Sequence, residues 1–366
     1  MKNKTVVVGM SGGVDSSVAA CLLKSQGYHV IGVTMQIWQE ENPSLTATEG
    51  GCCGLSAVED ARRVAHQLDI PYYVMNFRKD FQRYVIDYFV REYRAGRTPN
   101  PCIACNRYVK WESLLHKSLA IGADYIATGH YARIRRLPGG RYTIGRSDSL
   151  RKDQSYALYN LTQDQLAHTL FPLGEYEKEE IRQMAEQAGL QVAHKPDSQE
   201  ICFVPDGDYA SFIERETGMP EQRGNFVDLD GRVLGQHEGI GHYTIGQRKG
   251  LGIALGEPVF VVKICPDTRE VVLGKGTDVF TDHLRAELVN YMAADHFEVG
   301  QRVTAKIRYN HEGAPAVIHS VGDDFFELDF EEPVRAVTPG QAVVLYNEEN
   351  ILGGGTIVTS IPRPLR

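Results

Sequence analysis

The sequence predicts an α/β N-terminal domain with a parallel sheet, followed by two mostly β domains, the last of which is a small β-barrel. In the first half, short apolar runs alternate with amphipathic ones, as strands and helices do in a parallel sheet covered on both faces. From Gly224 onward, short β-branched runs are instead separated by glycine, proline and Asp-Gly turns. A chain of 366 residues exceeds the usual size of one domain. We therefore expect three domains, at residues 1–206, 207–280 and 281–366.

The expected elements of the first domain follow from apolar periodicity and from the residues that interrupt it. Ser56 and Glu59 have the spacing of a capping box, and Pro71 marks the next boundary. The expected strands lie at residues 5–8, 29–38, 72–77 and 125–128, and the expected helices at residues 14–24, 56–68, 81–93, 110–121, 154–170 and 178–189. A ligand crevice forms at the carboxyl ends of such strands, where Met35 and Gly129 are expected.

A glycine-rich turn joins the first strand to the first helix, where residues 9–17 read GMSGGVDSS. Gly9, Gly12 and Gly13 lack Cβ atoms, so their amides can closely approach phosphate oxygens. The helix start adds unpaired N–H groups and the positive end of a dipole. The turn also holds three hydroxyl donors, Ser11, Ser16 and Ser17. The sequence therefore predicts a phosphate site; the alternative is a glycine-rich turn without a ligand.

The turn is not a Walker loop. That loop has the pattern GxxxxGK[ST], whereas here no lysine follows the glycines until Lys24. This difference excludes the usual kinase and GTPase interpretation. The stretch SGGVDS is instead similar to the loop of ATP pyrophosphatases, which adenylate a substrate and release pyrophosphate.

Composition excludes several protein classes. The hydrophobic content of 42% and the aromatic content of 9% are those of an ordinary globular protein. No apolar run approaches the ~18 residues of a membrane span and the N-terminus lacks a signal-like stretch, so we expect a cytoplasmic protein that does not use a membrane. Seven cysteines, an odd number, do not indicate a secreted disulfide framework and favour reactive or metal-binding thiols.

Charge is distributed unevenly along the chain. The formal net charge of -8 argues mildly against nucleic acid as a partner. Residues 133–152, however, hold seven arginines or lysines against the single acid Asp148. This segment could bind a phosphate backbone, and the alternative is a solvated basic hairpin around residues 138–140.

Three cysteines lie in two segments that are predicted to be loops. Pro99 and Pro101 in TPNPCIACN predict an extended loop that presents Cys102 and Cys105 just before a helix. Cys202 lies in KPDSQEICF, which is expected to be a loop after a helix. Two thiolates that meet across a cleft can pass sulfur as persulfide and disulfide.

Other interpretations of these thiols stay open. A zinc site needs further ligands, and the adjacent Cys52 and Cys53 are poorly spaced for chelation. A thioredoxin-like redox pair needs its own strand and helix context, which the preceding Pro-Asn-Pro disfavours. Cys21 and Cys265 fall in a predicted helix and at a predicted strand end, where core or boundary positions are the simplest interpretation.

Seven motifs occur in an order found in one family. They are GMSGGVDSS, NPCIACN, ATGHYARI, KDQSYAL, DSQEICF, YTIGQRKGLGI and IRYNHEG. Each alone is weak or moderate evidence, but together they resemble the tRNA-specific 2-thiouridylases, the MnmA family, over nearly the whole chain. The resemblance implies an adenine nucleotide alpha hydrolase-like first domain. It also implies ATP-dependent conversion of the wobble uridine of certain tRNAs, at position 34, to 2-thiouridine.

The resemblance further implies site residues. Cys105 is expected to be the nucleophile, and Cys202 is expected to carry persulfide sulfur received from a donor protein, either a relay protein or a cysteine desulfurase. The expected ATP-binding residues are Gly9, Met10, Ser11, Gly12, Gly13, Val14, Asp15, Ser16, Met35 and Gly129, with Asp15 near a Mg²⁺ ion. The expected tRNA contacts are Asn100, Pro101, Cys102, His130, Lys152, Asp153, Gln154, Arg308, Tyr309 and Gln341, the last three in a tRNA-binding barrel.

The implied reaction has two stages. ATP adenylates the C2 oxygen of uridine, and pyrophosphate leaves from the glycine-rich turn. Sulfur from the Cys202 persulfide, or sulfide freed when Cys105 attacks it, then displaces AMP and leaves a Cys105–Cys202 disulfide. The base must leave the anticodon stack, which costs a few kcal/mol and costs least for an unpaired loop nucleotide.

Cys102 departs from the pattern of family members that carry aspartate at this position, so the acid or base of the reaction is unassigned. The departure suggests a second hypothesis. Cys102, Cys105 and Cys202 could hold an iron–sulfur cluster with one iron left open for sulfide, as some members are thought to do. The cluster-free persulfide route stays open beside it.

Two other functions share parts of the pattern. Another adenylating synthetase with a pyrophosphatase loop would share the glycine-rich turn but would not need both thiol segments. A non-enzymatic RNA-binding module switched by nucleotide would need only the barrel and the basic hairpin.

Overall fold

The computed structural model describes residues 4–37, 55–196, 201–348 and 350–360. Two compact units contain them: the first holds residues 1–85, 102–207 and 349–351, and the second holds residues 86–101, 208–348 and 352–366. The expected strand end at Trp38 and the pair Cys52 and Cys53 lie outside the described residues.

A parallel sheet forms the centre of the first unit, as the alternating pattern predicts. The strands of this unit are β1 (Thr5–Gly9), β2 (His29–Gln36), β3 (Tyr72–Asn76), β4 (Tyr125–Ala127), β5 (Arg133–Arg136), β6 (Tyr142–Gly145) and β7 (Thr169–Leu170). Five of them pair in parallel in the order β3-β2-β1-β4-β7. The other two, β5 and β6, form an antiparallel hairpin at the predicted basic segment.

Helices connect and flank these strands. In chain order they are α1 (Val14–Ser25), α2 (Leu55–Gln67), α3 (Arg78–Phe81), α4 (Asp87–Arg94), α5 (Pro101–Ala104), α6 (Leu115–Ala120), α7 (Gln163–Ala167), α8 (Lys178–Gln187) and α9 (Tyr209–Thr217). The backbone is π-helical at Gln82–Ile86 and Cys105–Leu114 and 3₁₀-helical at Ser155–Leu158, Gln191–His194 and Ile240–His242. Among the described residues, none of these helices has both the length and the apolar character needed to cross a membrane.

The core of the first unit follows from the period-two alternation of β1. Val6 and Val8 face a cluster that contains Val18 of α1, Val64 of α2 and Ile181 of α8. Val7, between them, points to the opposite face and is also fully buried. Because described residues cover both faces of β1, a polar ligand can approach this strand at its ends.

The second unit begins with a small sheet. Its strands are β8 (Gly224–Val227), β9 (Val233–His237), β10 (Phe260–Cys265) and β11 (Glu270–Gly274), in the order β10-β11-β8-β9. The pair β8 and β11 is parallel, and the other two pairs are antiparallel. Phe226, Val261 and Leu273 lie in its core.

A closed barrel follows, which confirms the predicted β-barrel. Its strands are β12 (Phe280–Tyr291), β13 (Arg302–Lys306), β14 (Ala314–Val321), β15 (Phe325–Arg335), β16 (Ala342–Asn347) and β17 (Asn350–Ser360). They pair in the order β12-β15-β14-β13-β16-β17, and β12 also pairs with β17. Closure leaves no open edge in this ring, and Leu284, Phe326 and Val343 fill its interior.

Three expected elements are wrong. Cys102 and Cys105 do not lie in an extended loop, because Pro101 begins a helical segment that runs through α5, the π-helix and α6. Proline is favoured in the first turn of a helix, because N–H groups there have no acceptor within the helix and the N–H that proline lacks is not needed. The helix expected at residues 154–170 is instead a 3₁₀ turn, the short α7 and the strand β7. Ser56 lies inside α2 and therefore is not its N-cap.

The core of the small sheet in the second unit contains a buried histidine. His237 is 3% exposed and packs against the rings of Phe226 and Tyr243, at 5.1 and 5.3 Å between ring centres. Its Nε2 lies 3.1 Å from the carbonyl oxygen of Arg269 and donates to it. Its Nδ1 is buried without a hydrogen-bond partner among the described residues. A proton added there would be an unpaired buried charge.

We expect the second unit to lose stability as the pH falls below about 6.5, the ordinary value for an unfolded histidine. Burial lowers the pKa of His237, and the charge of His242 also lowers it, although the hydrogen bond to Arg269 and the charge of Glu238 act in the opposite direction. The unfolded chain therefore binds the proton more tightly. Thermal unfolding at about pH 7.5 and about pH 5.5 tests this expectation. His237→Gln should reduce the difference between the two melting temperatures, whereas the same change at the exposed His296 should leave it intact.

Candidate nucleotide and thiol site

The predicted phosphate loop lies at the carboxyl end of the central strand. β1 pairs with β2 on one side and with β4 on the other, so the strand order reverses at β1. A reversal of this kind opens a crevice beyond the strand ends, which is where ligands bind in open α/β sheets. Residues 10–13 cross this crevice and lead into α1.

Two glycines are needed for the loop to reach this position. Gly12 has a φ of +71°, and a Cβ there would lie 2.3 Å from the carbonyl oxygen of Ala57 in α2. A Cβ on Gly129, just after β4, would lie 2.7 Å from the backbone nitrogen of Ser16. The loop is therefore packed between α2 and the end of β4 at distances that only glycine permits.

The start of α1 leaves backbone N–H groups for a ligand. Its N-cap is Gly13, and no side chain caps the helix there. The Oγ atoms of Ser16 and Ser17 lie 3.3 and 2.8 Å from the carbonyl oxygen of Gly13 and donate to it. The side chain of Ser11 is exposed. An uncapped helix start next to a glycine turn is suited to an anion such as phosphate.

Not every residue expected to bind ATP offers its side chain. Met10 and Val14 are 2% and 3% exposed and belong to the core cluster behind the loop. They can contribute only backbone atoms to a ligand. Met35 is half-buried near the end of β2, where it pairs with Met75 of β3.

Asp15 is held by two residues distant in sequence. The Nζ of Lys178 lies 2.8 and 2.9 Å from its two carboxylate oxygens, and the hydroxyl of Tyr131 donates to one of them at 2.8 Å. The side chain of Lys178 is 7% exposed and that of Asp15 is 30% exposed. Both oxygens of Asp15 therefore have protein partners in this structure, and the placement of Asp15 near a Mg²⁺ ion stays a prediction. The pair of Asp15 and Lys178 joins α1 to α8.

A second lysine reaches the loop itself. The Nζ of Lys195 lies 3.2 Å from the carbonyl oxygen of Gly12 and 2.8 Å from Oδ2 of Asp60 in α2. Its side chain is 35% exposed. Lys195 is the first residue of the KPDSQEICF motif, and this residue bonds directly to the phosphate loop.

Cys102 and Cys105 lie in the first turns of the helical segment that begins at Pro101. Cys102 is exposed and Cys105 is half-buried, and both are thiols. The next residue, Asn106, is fixed by its Nδ2, which donates to the carbonyl oxygen of Ala157 at 2.9 Å. The Nζ of Lys110 donates to the Oδ1 of Asn106 at 2.9 Å. An ammonium group is thereby held next to the residue that follows Cys105.

Cys202 lies in a turn near the start of the described residues 201–348, and its thiol is half-buried. The ring of its neighbour Phe203 packs edge-on against Phe81, at 5.6 Å between centres. Phe81 ends α3, which packs against the π-helix that begins at Cys105. The two thiol segments thus share a packing partner in the first unit.

The described residues contain no group of three His, Cys, Asp or Glu side chains that could hold a metal ion. The three-thiol ligand set for an iron–sulfur cluster is therefore not assembled among the described residues in this conformation.

His130 lies in an aromatic pocket at the end of β4. Its ring centre is 5.6 Å from that of Trp111 and 5.9 Å from that of Phe171. Its Nδ1 is 2.6 Å from Oγ1 of Thr128. Burial lowers the pKa of His130 well below its ordinary value, and the charge of Lys110 lowers it further. His130 is therefore a neutral hydrogen-bonding group at neutral pH.

The residues just before the thiol helix are anchored within the second unit. The backbone N–H of Thr98 donates to the carbonyl oxygen of Pro339 at 2.9 Å. The Nε2 of Gln341 donates to the carbonyl oxygens of Thr98 and Pro99, at 2.9 and 3.3 Å. Gln341, expected to contact tRNA, therefore supports the approach to Asn100 and Pro101.

Other expected tRNA contacts divide into internal and exposed groups. Asp153 is 9% exposed, and its carboxylate accepts hydrogen bonds from Ser147 and Ser155. The Oε1 of Gln154 accepts from the backbone N–H of Tyr131 at 2.9 Å. Lys152 is half-buried, Tyr309 is 39% exposed, and Arg308 donates to the carbonyl oxygen of Arg335 at 3.1 Å. Contact of these residues with tRNA stays a prediction.

Sequence reasoning missed four residues of this site. Tyr131 and Lys195 stand within or beside motifs that were recognised, but nothing in those motifs shows which atoms they approach. Lys178 gives no signal beyond its place at a helix start. Lys110 is four positions from Asn106, and its bond to that residue requires the helix to begin before Asn106 rather than near residue 110, where the sequence predicts its start. Such long-range pairs become visible only once the fold places them together.

Three family models match consecutive parts of the chain. A model described as a tRNA methyl transferase HUP domain matches residues 4–206. A model described as a tRNA methyl transferase PRC-barrel domain matches residues 210–275, and one described as an aminomethyltransferase beta-barrel domain matches residues 281–357. The parallel-sheet part is thus a HUP domain, followed by a PRC-barrel domain and a β-barrel domain.

Curated relatives match over nearly the full length. The tRNA-specific 2-thiouridylase MnmA of Lachnoclostridium phytofermentans is 66% identical over 97% of this chain and 99% of its own. The protein of the same name from Clostridioides difficile is 54% identical over 98% of this chain and 99% of its own. That from Carboxydothermus hydrogenoformans is 55% identical over 97% of both chains. The similarity therefore covers both the phosphate loop and the barrel.

We expect Asp15→Asn to destabilise the first unit by roughly 1.5–3 kcal/mol, because it leaves the buried ammonium of Lys178 without its counter-charge. This value is below that of a fully buried pair, since Asp15 is 30% exposed. Chemical denaturation measures the loss. Glu59→Gln is the matched control in α2: it removes an exposed ion pair with Arg62 and should cost less than about 0.5 kcal/mol. Equal losses in the two variants would contradict the assigned role of the pair.

Proposed function

The chain belongs to the MnmA family of tRNA-specific 2-thiouridylases, and we propose that it converts the wobble uridine of tRNA to 2-thiouridine at the expense of ATP. One observation carries this proposal. The first unit holds an uncapped phosphate loop together with two thiol-bearing segments that share a packing partner. A phosphate site alone would suit many adenylating enzymes, and the thiols add the group that delivers sulfur.

The first stage is adenylation of the base. The backbone N–H groups of the loop bind the phosphates of ATP, and the C2 oxygen of uridine attacks the α-phosphorus. The bond to the β-phosphate breaks, and pyrophosphate leaves. The C2 oxygen is thereby converted from a poor leaving group into part of AMP. Mg²⁺ would neutralise the phosphates in this stage, but the arrangement of Asp15 does not assign a protein ligand to it.

The second stage is sulfur transfer. The terminal sulfur of a Cys202 persulfide attacks C2, and the bond from C2 to the AMP oxygen breaks. The Cys105 thiolate then attacks Sγ of Cys202, and the electron pair of the persulfide S–S bond passes to the sulfur on C2. The products are 2-thiouridine and a Cys105–Cys202 disulfide. A dithiol reductant restores both thiols, and a donor protein renews the persulfide.

The surroundings of Cys105 suit this chemistry. The ammonium of Lys110 donates to the side chain of Asn106, the residue that follows Cys105, so it is available near this segment for an anionic group of the substrate. His130 is neutral, so it can hydrogen-bond to a uracil edge without adding a charge.

The competing functions are less well supported. An amidating synthetase with the same loop gives no reason for thiols on both segments. Two of the three family models carry the description tRNA methyl transferase, but the relatives that match nearly the whole chain are named thiouridylases. An RNA-binding module would not need an adenylation site.

We expect Cys105→Ser to reduce 2-thiouridine formation by at least about a hundredfold while leaving the Kd for tRNA within about twofold. Cys202→Ser should behave in the same way when sulfur is supplied by a persulfide donor. Mass spectrometry of the wobble nucleoside measures thiolation, and a filter-binding assay measures Kd. Cys265→Ser is the matched control, because this half-buried thiol ends β10 in the other unit. Unchanged thiolation by Cys105→Ser would refute its assignment as nucleophile.

We propose the cluster-free route, because the described residues do not assemble a three-thiol ligand set. The enzyme treated with an iron chelator should therefore retain its thiolation rate within about twofold when a persulfide donor is supplied. Iron and sulfide assays after anaerobic reconstitution provide the comparison. Activity that appears only in iron-loaded protein, and that is lost together with iron in Cys102→Ser, would establish the cluster instead.

A further inference from the structure

The phosphate loop lacks the lysine of a Walker loop, yet two lysines reach it from positions far along the chain. Lys178 is 7% exposed and uses its ammonium on both oxygens of Asp15. This buried ammonium is therefore paired with the half-buried carboxylate of Asp15. Lys195 differs, because its ammonium donates to a backbone carbonyl oxygen of the loop, that of Gly12.

The bond from Lys195 acts on a peptide unit that can otherwise turn. Gly12 has a φ of +71° and is followed by Gly13, so neither residue has a Cβ that restricts rotation of the peptide between them. In a planar trans peptide the C=O and N–H point in opposite directions. Holding the Gly12 oxygen toward Lys195 therefore directs the Gly13 N–H to the opposite side of the loop.

The orientation of this N–H decides what the loop can bind. Gly13 is the N-cap of α1, and its amide belongs with the unpaired N–H groups of the first turn. If the peptide turned over, a carbonyl oxygen would replace an N–H donor in a site meant for an anion. Phosphate oxygens would then meet a repelling dipole.

Lys195 is itself held in place. Its ammonium lies 2.8 Å from Oδ2 of Asp60, and Oδ1 of Asp60 lies 3.4 Å from the guanidinium of Arg63. Asp60 is one turn along α2 from Ala57, which packs against Gly12. Helix α2 thus supports both the glycine and the lysine that bonds to it.

We propose that Lys195 is a positioning residue for the phosphate groups of ATP: it fixes the Gly12–Gly13 peptide with its N–H toward the polyphosphate. This inference rests on the proposed function, since it assigns a task within the ATP site of that reaction. Lys195 does not touch the reacting atoms in this assignment. It replaces, through the backbone, part of what a Walker lysine does by direct contact.

A purely structural role would be different. Lys195 could simply fasten the segment after α8 to α2 through Asp60. Loss of such a fastening would loosen the whole nucleotide site and weaken every adenine nucleotide alike. Loss of peptide orientation would weaken only ligands that place β- and γ-phosphates on the loop. The ratio of ATP to AMP affinity separates the two roles.

The test uses the full chain and isothermal titration calorimetry with a non-hydrolysable ATP analogue, Mg²⁺ and, separately, AMP. Lys195→Met should raise the Kd for the ATP analogue about tenfold and leave the Kd for AMP within about twofold. Lys195→Arg, which can still donate to the Gly12 oxygen, should recover most of the ATP affinity. Lys24→Met is the matched control: its ammonium bonds to the carbonyl oxygens of Leu68 and Asp69, and both affinities should stay unchanged.

Two outcomes overturn the proposal: equal weakening of both nucleotides, or no change in the ATP analogue. If thermal unfolding shows that Lys195→Met does not fold, Lys195→Gln takes its place, and its Kd values for the ATP analogue and for AMP are compared with those of Lys195→Arg. The proposed function is tested separately by the wild-type protein. This inference alone would be rejected if the wild type thiolates tRNA but Lys195→Met leaves the ratio of the two Kd values, for the ATP analogue and for AMP, unchanged. A wild type that binds no ATP would reject the proposed function.

Discussion

The ion pair between Asp15 and Lys178 is the constraint on which the nucleotide site depends. It joins the first turn of α1 to the first turn of α8, and Tyr131, just after β4, adds a hydrogen bond to the same carboxylate. These three segments meet only at the carboxyl edge of the sheet. Loss of the Asp15 carboxylate should cost more stability than loss of the Lys178 ammonium, because it leaves a charge unpaired in the more buried position. The position of the helix start, and with it the direction of its N–H groups, follows from this pair.

Sequence reasoning predicted the parts of the fold that depend on local pattern. The strand, glycine turn and helix at residues 5–25 are encoded by neighbouring residues, and so is the β-rich second half. The start of the thiol helix was missed because Pro101 was interpreted as an interruption, whereas proline fits a first helical turn. The partners of Asp15 and Gly12 could not be predicted, since Lys178 and Lys195 reach them only through the packing of α8 and the segment that follows it against α1 and α2.

The expected tRNA contacts show a related limit. A family motif identifies a position, but the structure decides which atoms that position offers. Asp153 and Gln154 use their side chains within the first unit, where they fix the turn after β6 and the backbone of Tyr131. Tyr131 in turn bonds to Asp15. Residues matched to RNA recognition can therefore act through the nucleotide site, and surface exposure is the better guide to direct contact.

The anchoring of Thr98 by Pro339 and Gln341 has a consequence for how this chain can be taken apart. A fragment cut after residue 206, where the first family model ends, would retain residues 86–101 but lose the loop that holds them. The carbonyl oxygens of Thr98 and Pro99, which accept hydrogen bonds from Gln341 in the full chain, would then be solvated. The backbone just before the thiol helix would lose the contacts that fix its conformation. Motif boundaries and cooperative folding boundaries therefore differ here. Transplantation of residues 4–206 alone should therefore yield a protein that keeps the nucleotide loop but in which Thr98 and Pro99 have lost their hydrogen-bond partners.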